Sequence, residues 1–186
     1  MNFDFSDELK MLRDEARKFL AAKCPPAVPR RILESGSGFD RELWREMGAM
    51  GWIGASIPER HGGAGLGHLA VCILAEEIGR AIAPVPYSSS VYGAIEALLQ
   101  FASEAQQAAR LPDLASGGAV ATLALAEAPG AFVPERLETR FADGRVSGVK
   151  LAVRWAPSRV PGAKRGIERE TEQTSITEDA HQRRKV

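Results

Sequence analysis

Four glycines within six residues could form a binding site for a phosphate group. They are Gly62, Gly63, Gly65 and Gly67. They stand before a segment with helical spacing, and the free N–H groups at a helix amino terminus attract anions. The dinucleotide-binding spacing G-x-G-x-x-G is not matched, because position 68 is His68, and no G-x-x-x-x-G-K-S/T sequence is present. We therefore predict a turn that needs positive φ angles and close packing, not a phosphate site.

Two histidines and both cysteines could in principle bind a metal. His61 and His68 are seven residues apart across the four glycines, which is not a recognised ligand spacing, and no carboxylate or thiol cluster accompanies them. We predict that both are solvated at the surface. Cys24 and Cys72 lack a C-x-x-C or Cys/His pattern, so they are expected to be reduced thiols of a cytosolic protein. No metal site is predicted.

Paired carboxylates and large aromatic residues have simpler interpretations. Glu76 and Glu77 precede Arg80 by four and three residues, so we predict an ion pair on a solvated helix face rather than acid–base catalysis. Trp44 and Trp52 are predicted to be core or interface residues, because each indole can bury a large apolar area.

The composition argues against nucleic acid and membranes as partners. The 24 basic and 24 acidic residues give a net charge of zero, and no apolar run approaches the roughly 20 residues of a membrane helix. Residues 1–5 are acidic, unlike a signal peptide. With 186 residues and 45% hydrophobic content, we expect one domain or one domain plus a fragment, in a soluble cytoplasmic protein.

Hydrophobic spacing predicts a mainly α fold, with an amino-terminal bundle of about five helices. The first, second and fifth have Ser6, Asp40 and Ser103 as capping residues. The segment 27–39 has mixed character, and its glycine-serine sequence indicates a loop. The five predicted helices cover residues 6–22, 40–47, 66–79, 90–101 and 103–111.

The pattern changes after the helices. Residues 119–125 form a short apolar run, and residues 137–141 and 146–151 alternate on either side of an Asp-Gly turn signal, which indicates the first strands of an incomplete β domain. The polar, aperiodic residues 154–186 are predicted to be a disordered tail. The predicted domains are therefore a helical domain (1–115), the start of a β domain (116–153) and the tail (154–186).

One run carries a family resemblance. In residues 51–67 an apolar segment breaks at Pro-Glu into glycines, and this run resembles the amino-terminal helical domain of the acyl-CoA dehydrogenase family. Residues 1–20 are similar to that family's opening helix, and residues 43–50 to the segment leading into the turn. Residues 69–83 resemble the helix that ends in Glu-Glu-Ile-Gly-Arg.

The resemblance implies an oxidoreductase of fatty acid metabolism. Members of the family are flavoproteins that remove a proton next to the thioester carbonyl of an acyl-CoA and pass a hydride from the neighbouring carbon to FAD. In the family the base is a Glu of the carboxyl-terminal helical domain, which has no counterpart in this sequence. We therefore name no catalytic residue and expect the chain alone to be inactive.

A second resemblance points to the flavin. Residues 122–130 are similar to the family's first β-domain strand, which implies cofactor binding by Leu123, Leu125, Ala126 and Glu127. Ala126 stands where the family has a Thr or Ser hydroxyl that bonds the isoalloxazine edge. Backbone donors remain, but each lost hydrogen bond costs about 0.5–1.5 kcal/mol, so we expect FAD binding to be weak or lost.

The likeness ends within the β domain. Residues 143–150 resemble the family's "G-x-x-x-(N/S)-G-x-K" hairpin, and nothing after Val153 continues it. Our interpretation is a truncated dehydrogenase, with a frameshift as the hypothesis for residues 154–186. A search of the other two reading frames for a dehydrogenase-like continuation tests that hypothesis.

Two alternative functions and the oligomeric state stay open from the sequence. The chain can be a non-catalytic partner subunit of a heteromeric dehydrogenase, because some family subunits have degenerate flavin positions. It can form a homo-oligomer or a hetero-oligomer with a full-length dehydrogenase. The helices can also be an interaction module of another class. The length of the acyl chain is not readable from the residues present.

Overall fold

In a computed structural model, the described residues are 4–127, 136–143 and 145–151. The helices are α1 (Asp7–Lys23), α2 (Ala27–Ser35), α3 (Arg41–Ala49), α4 (Gly67–Arg80), α5 (Glu96–Phe101) and α6 (Glu104–Ala115). A 3₁₀ turn (Glu59–His61) precedes α4, and a π-helical segment (Ser88–Ile95) leads into α5. The predicted mainly α fold is confirmed. The predicted disordered tail over residues 154–186 lies outside the described residues.

Side-chain caps fix the starts of three helices, as the sequence predicts. The Ser6 hydroxyl accepts the Leu9 N–H at 3.4 Å, and the Asp40 carboxylate accepts two N–H groups of α3. Ser103 and Gln106 form a reciprocal capping box at α6. Each cap satisfies N–H groups that the first helical turn leaves without a partner.

Three details of the helices differ from the prediction. α2 was not predicted, because it has no buried residue and no side-chain cap to mark it. Residues 88–95 form a π-helix rather than the first turns of a regular α-helix. α6 continues through Pro112 to Ala115, beyond its predicted end at residue 111, and the added turn buries Leu114 and Ala115 in the core.

The core of the helical unit forms between α1, α3, α4 and α6. Trp44 and Trp52 are both buried there, as predicted. The Phe19 and Trp52 rings meet edge to face, with their centroids 5.0 Å apart, a favoured aromatic geometry. The largest fully buried side chains include Leu20, Met47, Ile53, Ile57, Ile73, Leu74, Ile95 and Leu111.

An ion pair between an exposed arginine and a buried carboxylate joins α1 to α4, where the sequence predicted a solvated carboxylate. Arg17 donates from Nε at 3.0 Å and from Nη2 at 2.7 Å to the two carboxylate oxygens of Glu77, which is only 2% exposed. The predicted ion pair with Arg80 is present, with Arg80 Nε 3.5 Å from Glu77 Oε2. The predicted solvation is wrong for Glu77, because α1 packs on α4 and covers this carboxylate. The hydrogen bonds from Arg17 lower the pKa of Glu77, so it stays ionised at neutral pH, and the bidentate geometry offsets part of its desolvation.

Contacts divide the chain into two units, residues 1–123 and 124–186. The end of the first unit, residues 119–123, was expected to begin a β domain, but no strand is formed there. Instead the Ser90 hydroxyl donates to the Ala121 carbonyl at 2.9 Å and accepts the Ala121 N–H at 3.3 Å. The Ser90 side chain thus satisfies both backbone groups of Ala121, which a neighbouring strand would otherwise do. The predicted domain boundaries at 115 and 153 stay predictions.

The described part of the second unit contains a small hairpin. Strand β1 (Arg140–Ala142) pairs antiparallel with β2 (Arg145–Ser147), with Phe141 opposite Val146. The alternating pattern around Asp143 predicts this hairpin, and the structure confirms it. Asp143 has a φ of 51°, a left-handed conformation that Asp tolerates in tight turns.

Candidate functional site

The glycine-rich turn is a structural connection, as the sequence predicts. Gly62, Gly65 and Gly67 have φ angles of 78°, 64° and 77°, in the left-handed region that favours glycine. A Cβ atom on Gly63 would lie 2.0 Å from the Ile57 carbonyl oxygen. The N–H groups of Gly65 and Leu66 donate to the carbonyl groups of Ile57 and Ala55 at 3.0 and 2.8 Å. These two donors therefore stabilise the turn and are not free to bind a phosphate.

The two histidines have different surroundings. His68 is exposed, and its Nε2 lies 3.0 Å from Oε2 of Glu96. The other carboxylate oxygen of Glu96 accepts the Ser56 hydroxyl. His61 is only 7% exposed, and its Nε2 has no hydrogen-bond partner among the described residues. The predicted surface position is right for His68 and wrong for His61, because the 3₁₀ turn that carries His61 packs against α6. In the described part of the chain, no three His, Cys, Asp or Glu side chains form a metal site.

Both cysteines are free thiols with different exposure. Cys72 is exposed on α4. Cys24 is buried, its thiol donates to the Ala81 carbonyl at 3.8 Å, and burial raises its pKa, which disfavours the reactive thiolate. Cys24 is therefore a small core residue, as expected for a thiol kept from solvent.

The four candidate flavin residues fall in both units. Leu123 belongs to the first unit and lies against Gly93, where an added Cβ would be 3.4 Å from the Leu123 Cβ. Leu125, Ala126 and Glu127 belong to the second unit. There the Ala126 carbonyl accepts the Leu151 N–H at 2.7 Å. The Leu125 carbonyl accepts the Lys150 ammonium at 3.3 Å, so this segment runs beside residues 150–151.

The carboxylate of Glu127 accepts four hydrogen bonds from described residues of the second unit. It accepts the N–H groups of Glu138 and Thr139, the Thr139 hydroxyl, and the Lys150 ammonium at 2.7 Å. Lys150 is the largest cause, and Thr139 the next, of a Glu127 pKa lowered to about 2. The hairpin pattern predicts the strands without identifying Thr139 and Lys150 as partners of Glu127. The Gly-x-Lys end of the hairpin motif was the only sequence signal for them.

The segment 125–127 has backbone N–H groups without a partner among the described residues. The N–H groups of Leu125, Ala126 and Glu127 donate to no acceptor within the described residues, and Leu125 is exposed. They can serve a ligand that carries carbonyl and ring-nitrogen acceptors, such as the pyrimidine edge of a flavin. Ala126 contributes no hydroxyl, so the donor set fits a flavin through its backbone and lacks one side-chain bond.

Comparison with known proteins accounts for the helical unit. A family model described as the acyl-CoA dehydrogenase N-terminal domain matches residues 6–118. The chain belongs to the acyl-CoA dehydrogenase family. Within this family, the acyl-CoA dehydrogenase FadE28 of Mycobacterium tuberculosis is 40% identical over 121 residues, which cover 64% of this chain and 35% of that protein. The chain spans about a third of the length of the curated relatives it matches, with 29%, 35% and 31% for three of them.

Solved structures have a similar fold over most of this chain. The ChsE4–ChsE5 complex of M. tuberculosis has a TM-score of 0.70 at 28% identity, over 81% of this chain and 41% of that chain. An acyl-CoA dehydrogenase of Bacillus anthracis, solved in complex with FAD, has a TM-score of 0.62 at 28% identity, over 73% of this chain and 23% of that chain. Among the described helices of the present chain, none has the length and apolarity needed to cross a bilayer.

Proposed function

We propose that this chain supplies the helical scaffold and a flavin-contacting strand to an FAD-dependent acyl-CoA dehydrogenase. The reaction is the α,β-dehydrogenation of an acyl-CoA thioester, with FAD as the hydride acceptor. Residues 1–115 are assigned to the helical domain and residues 116–153 to the start of the β domain. The free thiols Cys24 and Cys72 support a reducing compartment, the cytoplasm.

The backbone donors of the second unit are the observation that supports FAD binding. Leu125, Ala126 and Glu127 present N–H groups without partners among the described residues, on the segment where the family resemblance expects the isoalloxazine edge. Backbone donors do not depend on the side chain, so the alanine at 126 weakens this site without removing it. The missing hydroxyl is equivalent to about 0.5–1.5 kcal/mol of binding free energy.

The base of the reaction is assigned to a segment outside the described residues or to a partner chain. A general base should have a pKa near the working pH. Lys150 and Thr139 hold the pKa of Glu127 at about 2, which makes its carboxylate a weak base. Glu77 is buried against Arg17. Neither carboxylate suits the proton transfer, and the family resemblance expects the base on a separate helical domain, which supports assigning it elsewhere.

Restoring the hydroxyl at position 126 tests the flavin site. We expect Ala126→Thr to strengthen FAD binding about two- to tenfold, because it adds one hydrogen-bond donor to the flavin edge. Ala126→Val is the matched control, since valine has nearly the same shape and no hydroxyl. Equilibrium dialysis of the three proteins against FAD measures the change. Equal affinities for the Thr and Val variants would contradict the proposed contact.

A non-catalytic partner subunit is the second candidate function. Ala126 favours this role, because a subunit that only completes a partner's active site does not need a Thr or Ser hydroxyl to bond the flavin. The structural likeness to a ChsE4–ChsE5 complex also supports it. Co-purification of the tagged chain with a full-length dehydrogenase, with FAD bound only to that partner, is the expected result for this role. FAD retained by this chain in isolation would argue against it.

A further inference from the structure

The Glu127 carboxylate is engaged mainly with the protein itself. Its Oε1 atom accepts the Thr139 N–H, the Thr139 hydroxyl and the Lys150 ammonium, and its Oε2 atom accepts the Glu138 N–H. An ionised carboxylate offers about four acceptor positions, so one position on Oε2 remains. The side chain is only 12% exposed. Its main contacts are therefore those that join it to neighbouring stretches of chain.

The same carboxylate joins three separate stretches of chain. Glu127 itself belongs to the segment 125–127, its backbone donors belong to residues 138–139, and Lys150 belongs to the third stretch. Lys150 also donates to the Leu125 carbonyl at 3.3 Å, and Leu151 donates to Ala126 at 2.7 Å. The Leu125 and Ala126 carbonyl groups are thus held by residues 150 and 151. Because the C=O and N–H of one trans peptide unit point in opposite directions, the N–H groups of Ala126 and Glu127 point away from those residues.

A close backbone approach supports this arrangement. A Cβ atom on Gly148 would lie 2.8 Å from the Cα atom of Thr139, so only glycine allows Thr139 to sit this close to the third stretch. Because the pKa of Glu127 is about 2, its carboxylate is ionised and the four hydrogen bonds are in place throughout the physiological pH range.

We propose that Glu127 is a positioning residue for the flavin strand: its carboxylate holds the segment 125–127 against residues 138–139 and 150, so that the N–H groups of this segment are presented to FAD. This inference rests on the proposed function. Glu127 acts through the contacts that its side chain makes within the protein. The sequence resemblance placed Glu127 among the cofactor-binding residues; the geometry points to an indirect contribution.

Glu127→Gln tests the proposal with little change in shape. A glutamine has a single carbonyl acceptor and places an NH₂ group against neighbouring donors. We expect FAD affinity to fall about tenfold, the loss typical of one charge-assisted hydrogen bond. The absorbance spectrum of the remaining bound flavin should shift toward that of free FAD. Asp143→Asn is the matched control: it removes one exposed carboxylate from the same unit, and asparagine tolerates the positive φ.

A milder variant and a flavin-free measurement keep the test decisive. Thr139→Val removes one donor and should weaken FAD binding about fivefold or less. Without FAD, hydrogen exchange of the Glu138 and Thr139 amides should be faster in Glu127→Gln than in the unaltered chain. If the unaltered chain binds no FAD, the proposed function fails and this inference with it. If the unaltered chain binds FAD and both variants bind it equally well, the positioning role alone is overturned.

Discussion

Replacing Trp44 by alanine is expected to lower the free energy of unfolding by about 3–5 kcal/mol. Trp44 lies on α3 and is only 2% exposed within the core of the helical unit. The substitution removes the whole indole from a packed site that can collapse only in part. Its Nε1 has no hydrogen-bond partner in the described part of the chain, so the loss is one of packing rather than of a polar contact. Urea denaturation monitored by circular dichroism measures the change.

Phe101→Ala is the matched control for Trp44→Ala. Phe101 is also an aromatic residue on a helix, but it is 88% exposed at the end of α5. An exposed substitution of this kind changes the free energy of unfolding by only about 0.5 kcal/mol in either direction. If the two alanine variants lose similar stability, the described core around α3 is wrong.

Replacing Gly48 by alanine is expected to destabilise the helical unit by about 1–3 kcal/mol or more, although alanine favours helices. Gly48 lies inside α3, and an added Cβ atom would be 2.1 Å from the Ser116 carbonyl oxygen. The obstacle is backbone, which cannot rotate away as a side chain can. The chain after α6 must therefore move, or α3 must separate from it. Thermal unfolding of the variant measures the cost.

Gly79→Ala separates this clash from the intrinsic effect of alanine. Gly79 lies inside α4, is exposed, and has no atom within 4 Å of the position of an added Cβ. Without an obstacle, alanine should raise the free energy of unfolding by up to about 1 kcal/mol. The two variants are thus expected to change stability in opposite directions. A Gly48→Ala protein as stable as Gly79→Ala would show that α3 and the turn after α6 are not in contact.

Local signals predicted most of the helical unit. Ser6, Asp40 and Ser103 mark helix starts because a capping side chain is encoded next to the turn that it satisfies. α2 was missed because it has neither a cap nor a buried face. The continuation of α6 past Pro112 depends on the burial of its last turn, which is a property of the assembled core and not of the local sequence.

Tertiary contacts decided what the sequence could not. The burial of Glu77 results from the packing of α1 on α4. Its partner Arg17 lies sixty positions earlier in the sequence. The burial of His61 results from α6, which follows much later in the chain. At the candidate flavin segment, resemblance supplied the residues, but only the structure shows that the Glu127 carboxylate accepts four hydrogen bonds, while the N–H groups of residues 125–127 have no partner among the described residues.

A titration of the unaltered full-length chain with FAD tests the central claim most directly. That claim is that this member of the acyl-CoA dehydrogenase family retains a flavin site built from the backbone N–H groups of Leu125, Ala126 and Glu127. We predict saturable binding of one equivalent of FAD, with a change in the visible flavin spectrum. A flavin spectrum that stays that of free FAD at every protein concentration, with no FAD retained after gel filtration, would contradict it.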